Sequence, residues 1–144
     1  MTVRTRFAPS PNGLLHLGHA YSALLNEKLA REAGGRLLVR IEDIDTQRCT
    51  RALAEAALAD LRWLGLVWEE PVLYQSERTA HYLAALERLK GMGLLYACRC
   101  SRQDVAKAAG GARDPEGQPI YSGTCKNRDV PGRPAAWRID MAKA

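Results

Sequence analysis

The chain has 144 residues, 47% of them hydrophobic, and a formal net charge of +5. That is enough apolar content for the core of one globular domain, and no long apolar run or leader-like segment stands in it, so a cytoplasmic protein without a membrane span is expected. The positive charge is mostly arginine, spread along the chain rather than gathered in a tail, and permits a nucleic-acid partner.

The first expected element is a strand over 3–8, broken by the turn formers Pro9, Ser10, Pro11, Asn12 and Gly13. A helix over 16–33 follows, because Leu17, Tyr21, Leu24, Leu25 and Leu29 recur at helical spacing and Gly34-Gly35 supplies a stop. A strand over 36–42 completes a strand–helix–strand unit, which implies a parallel sheet and an α/β fold. Helices over 50–65 and 77–92 come next, with Leu53, Ala57, Leu61 and Leu64 forming an apolar stripe on the first and Tyr82, Leu86 and Leu89 on the second. Both stripes are expected in the core. A strand over 94–98, a loop-rich segment to about 133 and a strand over 135–140 end the chain.

Three constellations carry chemistry. In the first, His16-Leu17-Gly18-His19 falls in the first turn of the expected helix. A helix start presents unpaired N–H groups and the positive end of its dipole, a combination that attracts phosphate. Two imidazoles three residues apart add donors on one face. Gly18 keeps that turn clear for a close-packed base, helix packing being its plainer role.

The second is Arg40-Ile41-Glu42-Asp43-Ile44-Asp45 at the carboxyl end of the second strand, where ligands collect in open α/β sheets. If the two strands are neighbours, both motifs open into one crevice. Arg6 would then pair with a carboxylate while Glu42 accepts from an ammonium group, a combination suited to an α-amino acid.

The third is Cys98, Cys100 and Cys125, with Cys49 apart. Closely spaced cysteines in a reducing compartment point first to metal, yet three thiolates fall one short of tetrahedral zinc. Cys49 is expected to be a small buried residue.

The string from Arg6 to His19, Arg-Phe-Ala-Pro-Ser-Pro-Asn-Gly-Leu-Leu-His-Leu-Gly-His, resembles the HIGH signature of class I aminoacyl-tRNA synthetases and, within them, the glutamyl group. The resemblance implies the N-terminal half of a Rossmann-like catalytic domain over 1–97, a small zinc-binding insertion over 98–133, and the start of a following strand over 134–144. It implies that Arg6, Ala8, Ser10 and Glu42 contact glutamate and that His16, Gly18 and His19 contact ATP, with His16 and His19 catalytic. The implied reaction makes glutamyl-adenylate from glutamate and ATP and passes the acyl group to RNA. Alignment of anions and stabilisation of phosphate charge would supply the rate. Magnesium would accompany ATP, and no carboxylate declares itself as its ligand.

Ile44, Arg48-Cys49 and Glu69-Glu70-Pro71-Val72 lean toward the glutamyl-queuosine branch of the family, which attaches glutamate to queuosine in tRNA(Asp) and activates it without tRNA. That branch has a C-x-C…Y-x-x-x-C zinc site, so Tyr121 is the implied fourth ligand beside Cys98, Cys100 and Cys125. A glutamyl-tRNA synthetase charging tRNA(Glu), a non-catalytic tRNA-binding paralogue and a nucleotidyltransferase that shares the HIGH motif are the alternatives. The lysine loop of the family has no counterpart among Lys28, Lys90, Lys107, Lys126 and Lys143. The chain is therefore expected to be an N-terminal portion, folded at least in part and inactive alone, of an enzyme monomeric at full length.

Overall fold

The computed structural model describes residues 2–132 and 136–144. Two compact units divide the chain, Met1–Ala80 and His81–Ala144. In the first, strand β1 (Arg4–Phe7), helix α1 (Leu17–Glu32), strand β2 (Arg36–Ile41), helix α2 (Arg51–Trp63) and strand β3 (Glu69–Tyr74) form a three-stranded parallel sheet in the order β1-β2-β3. A 3-10 turn, Ser76–Arg78, leads into helix α3 (Thr79–Gly91). In the second unit strand β4 (Leu95–Cys98), helix α4 (Arg102–Ala108) and strand β5 (Ala136–Ile139) follow, β4 and β5 pairing antiparallel. Ala135, in the expected last strand, lies outside the described residues.

Two elements depart from expectation. No strand was expected at β3, whose Glu-Glu-Pro start hides a segment that alternation alone does not reveal. Helix α4 lies in the segment expected to be loop, and its signal is local: Ser101 accepts from the Asp104 N–H while Asp104 accepts from the Ser101 N–H, a capping box.

Phe7, Leu37, Val39 and Ile41 point to one side of the sheet and meet Ala23 of α1 and Ala54, Leu58 and Leu61 of α2. The α2 stripe is in the core as expected, with Ala57 and Leu61 buried and Leu53 and Leu64 half-buried. Helix α1 turns small residues inward instead. Its buried positions are Ala23 and Ala30, while Leu17 is 85% exposed and Tyr21 68%. The stripe on α3 is likewise not core, since Tyr82 is exposed and Leu86 and Leu89 are half-buried. Among the described residues no helix is long and apolar enough to cross a membrane.

At the end of α1, Gly34 adopts φ +60° and donates to Arg31, while the Gly35 N–H donates to Ala30 at 2.7 Å. The turn needs a left-handed residue at Gly34. Gly35 is required for a different reason. A Cβ there would lie 2.2 Å from the Val3 carbonyl oxygen, in backbone whose position is fixed by the Arg36 N–H to Val3 bond of 3.0 Å. Gly35→Ala should therefore part the first residues of β1 and β2 and cost about 1–3 kcal/mol, as other overpacked sites do. Urea denaturation checks this, and an unchanged midpoint would refute it.

Candidate active site and metal centre

The loop after β1 is stiff. Pro9 and Pro11 are buried, the Asn12 N–H donates to Ser10, and the Glu42 N–H donates to the Pro9 carbonyl at 2.9 Å. That last bond joins the carboxyl ends of β1 and β2, so the two motifs expected to share a crevice are adjacent. Ala8 is half-buried beside this junction, whereas Arg6 and Ser10 are exposed.

The histidine pair caps α1. His16 is the N-cap, its Nδ1 accepting from the Gly18 N–H at 3.1 Å, and the His16 N–H donates to His19 Nδ1 at 3.2 Å. Both Nδ1 atoms being acceptors, each neutral ring carries its proton on Nε2. The rings lie 3.9 Å apart between centroids. The helix start thus offers two Nε2–H donors beside its own free N–H groups. Gly18 also has a local reason to be small, since a Cβ would stand 3.0 Å from His16 Cε1 and push the capping ring aside.

The acidic string is already engaged. Glu42 accepts from Arg40 Nη2 at 2.6 Å, the two side chains being 32% and 30% exposed. Asp43 takes the N–H of Ser76 at 2.9 Å and its hydroxyl at 2.7 Å. Asp45 accepts from Arg48 Nε at 2.6 Å, and this bond first of all holds its carboxyl below the ordinary range. Arg6 makes no ion pair among the described residues. Arg40 is therefore a site residue that motif reasoning passed over. Its signal was present, since residues two apart on a strand share a face.

Cys98, Cys100 and Cys125 come together, with ligand atoms all within 4.8 Å of one another. Cys100 and Cys125 sulfurs are 3.5 Å apart, and Tyr121 Oη lies 3.4 Å from Cys98 Sγ and 3.9 Å from Cys100 Sγ. Tetrahedral zinc with bonds of about 2.0–2.3 Å needs ligand spacings of roughly 3.3–3.8 Å, so these four atoms fit it after small shifts. Burial raises the Cys98 thiol, but hydrogen bonding with Tyr121 and then Arg138 outweighs it and brings the pKa down to about 6. Cys125 is lowered, first by the Arg99 N–H; Cys100 is raised, first by its hydrogen bond with Cys125. Cys49 is half-buried rather than buried, its sulfur 3.8 Å from the Glu42 carbonyl.

The charge is less evenly spread than the bare sequence suggests. Met1–Ala80 holds ten Lys and Arg against ten Asp and Glu, whereas His81–Ala144 holds eleven against six, so the whole excess belongs to the second unit.

Residues 2–129 match the family described as tRNA synthetases class I (E and Q), catalytic domain. A glutamyl-Q tRNA(Asp) synthetase of Rhodobacter capsulatus is 51% identical over 136 residues, covering 90% of this chain and 47% of that protein. The glutamyl-Q tRNA(Asp) synthetase of a Synechococcus strain is 52% identical over 85% of this chain and 39% of its own length. The glutamate–tRNA ligase of Nitratidesulfovibrio vulgaris is 45% identical over 99% of this chain and 30% of its own. Among solved structures, a glutamate tRNA ligase of Elizabethkingia meningosepticum in complex with its amino acid superposes with a TM-score of 0.65 at 34% identity, over 76% of this chain and 24% of that one. The chain thus spans less than half the length of these relatives.

The capping arrangement gives a pH dependence with a definite sign. Burial, then the neighbouring His16, lowers the His19 pKa below 6.5. Its neutral form is favoured by folding, so stability is full above about pH 6.5 and falls as pH drops from there through the folded value. An NMR titration of the His19 ring should place its midpoint below 6.5. A midpoint at or above that value would contradict the cap.

Proposed function

The chain belongs to the class I (E and Q) tRNA synthetase catalytic-domain family, and from that premise we propose that it supplies glutamate- and ATP-binding residues of a cytoplasmic glutamate-activating ligase. The observation that supports the proposal is the Glu42 to Pro9 backbone bond, which joins the strand end carrying the Arg40–Glu42 pair to the loop that leads into the histidine-capped helix. In the proposed reaction a glutamate α-carboxylate oxygen attacks the α-phosphorus of ATP. The bond to the bridging oxygen breaks, pyrophosphate leaves with its magnesium, and glutamyl-adenylate remains. A nucleophile on RNA then attacks the acyl carbon and AMP departs.

Each role follows from what the side chain offers. His16 and His19 point Nε2–H donors outward at the positive end of α1, suited to charge that grows on phosphate oxygens. Gly18 leaves the capping ring and the ATP room to approach. Arg6, on the same face as Leu38 and with no carboxylate of its own, takes a carboxylate of glutamate, while Ala8 and Ser10 line the turn beside it. Glu42 takes the ammonium group, its carboxylate held in place by Arg40. For the acceptor, the names of the relatives from Rhodobacter and Synechococcus favour queuosine in tRNA(Asp). Charging of tRNA(Glu) is the second reading, favoured by the glutamate–tRNA ligase that matches 99% of this chain.

Residues 1–97 are assigned to the nucleotide-binding domain, 98–133 to a metal-binding insertion, and 134–144 to the strand after it. Cys98, Cys100, Tyr121 and Cys125 would hold a structural zinc, which would cross-link β4 to the loop containing Tyr121 and Cys125.

Joined to the remaining part of the Rhodobacter relative, the chain should catalyse glutamate-dependent ATP–pyrophosphate exchange without tRNA. An absolute need for tRNA would favour the second reading, and no exchange under either condition would refute both. Glu42→Gln should raise the KM for glutamate at least tenfold with little change for ATP, the size expected when a charged hydrogen-bond partner is lost; equal effects on both substrates would remove Glu42 from the amino-acid site.

The metal assignment has its own measurement. About one zinc per chain should be found by elemental analysis, and Cys98→Ser or Cys125→Ser should abolish it. Tyr121→Phe should weaken it at least tenfold, within the range for loss of a metal-site group. A protein made in zinc-replete medium and free of zinc would overturn the assignment.

A further inference from the structure

A zinc ion with three thiolates carries one net negative charge, and with a phenolate as fourth ligand it carries two. Excess charge in a half-buried site needs a partner. Lys126, next in sequence to Cys125, is engaged elsewhere, 2.7 Å from the buried Asp140 carboxylate. Arg138 is placed differently. In the β4–β5 pair Tyr96 faces Arg138 and Cys98 faces Ala136, so Cys98 and Arg138 are diagonal neighbours on one face of the sheet. The guanidinium carbon of Arg138 lies 3.8 Å from the centroid of the Tyr121 ring. The oxygen of that ring is 3.4 Å from Cys98 Sγ and accepts from the Cys125 N–H at 2.9 Å.

One atom of Arg138 stands out further. Its Nε is buried and has no hydrogen-bond partner among the described residues. A buried, charged donor left unpaired is costly, and natural structures retain few of them without a purpose.

We propose that Arg138 is a positioning residue of the metal centre: its guanidinium packs on the Tyr121 ring, holds the phenol oxygen in ligand position, and offers Nε–H and positive charge to the metal-bound sulfurs. The inference rests on the reading of Cys98, Cys100, Tyr121 and Cys125 as ligands. It adds a role for a residue of β5, far along the chain from the C-x-C pair.

The test uses the chain as it stands, stripped of metal and titrated with zinc against a chromophoric chelator. Arg138→Met keeps the length of the side chain and removes its charge. It should weaken zinc binding about 10- to 100-fold, the range for loss of an outer partner of a metal ligand. Arg138→Lys keeps the charge without the planar stack and should recover part of that loss. Lys107→Met, which removes an exposed cation of the same unit that makes no ion pair among the described residues, should change affinity less than about threefold if the effect is specific to Arg138 and not to surface charge. In the wild-type chain the Arg138 Nε–H NMR signal should shift and exchange more slowly on adding zinc, which a merely structural arginine would not show. That measurement and Arg138→Lys decide the matter if Arg138→Met does not fold. Equal affinity of Arg138→Met and wild type, an equal loss in Lys107→Met, or an Nε–H signal unmoved by zinc would each overturn the role of Arg138 while leaving the metal centre intact. Failure of the wild-type chain to take up zinc would overturn both.

Discussion

The register between β1 and β2 is the constraint on which the proposed active site depends. It is pinned at both ends by backbone groups: the Arg36 N–H donates to Val3 where the strands begin, and the Glu42 N–H donates to Pro9 where they finish. Between those points the pleat sends Phe7, Val39 and Ile41 into the core and leaves Arg6, Leu38 and Arg40 on the opposite face, with Glu42 next in the series. A slip of one residue would exchange the two faces and bury two arginines. Gly35 guards against it by admitting the Val3 carbonyl to a distance that no side chain would tolerate. The face on which the proposed amino-acid site lies is in this sense set by a glycine at the far end of the sheet.

From that register the electrostatics of the acidic string follow. Glu42, Asp43 and Asp45 lie within four residues, and such a cluster would repel itself if left open. The structure gives each a different cation or donor: Arg40 on the same strand, Ser76 after β3, and Arg48 in the following turn. The Asp43 contact does the most for the architecture, because it ties the end of β2 to the segment after β3 and so fixes the loop that carries Glu42. Groups held this way need little rearrangement when a charged ligand arrives, which is the condition for strong electrostatic recognition.

Much of this was legible in the amino-acid sequence, and what was missed has identifiable causes. Proline, glycine and the two histidines marked the β1–α1 turn unambiguously, and the short helix connection left a parallel pair as the natural arrangement. Strand β3 was concealed by Pro71 and by two glutamates at its start, which suit a strand near an edge better than a periodic pattern. The leucines of α1 mark a helix but not its inner face: close packing on the sheet selects Ala23 and Ala30, and helical spacing alone does not say which of two stripes turns inward. The cysteine cluster was readable from spacing, and its fourth member from family likeness only. Arg138 was not readable at all, since nothing local links it to a cysteine forty residues earlier; only the antiparallel pairing does.

The composition of the second unit shows what a metal at the cysteine cluster would contribute. The first unit has a proper core in which apolar side chains from three strands and two helices exclude water. In His81–Ala144 the only buried residues among those described are Cys98 and Asp140, and one of them is a carboxylate. Apolar burial on that scale does not offset the entropy of ordering so many residues. What the unit has instead is a set of polar anchors: the Asp140–Lys126 pair, Arg99 donating to the Pro131 carbonyl, cations over the Trp137 and Tyr121 rings, and three sulfurs gathered at the end of β4. Surface pairs and cation–π contacts contribute about 1 kcal/mol each or less, whereas a bound zinc contributes on the order of 10 kcal/mol to the folded state of small metal domains. Among the described residues of this unit, the cysteines are thus the feature that, with metal bound, would supply enough binding energy to stand in for a hydrophobic core.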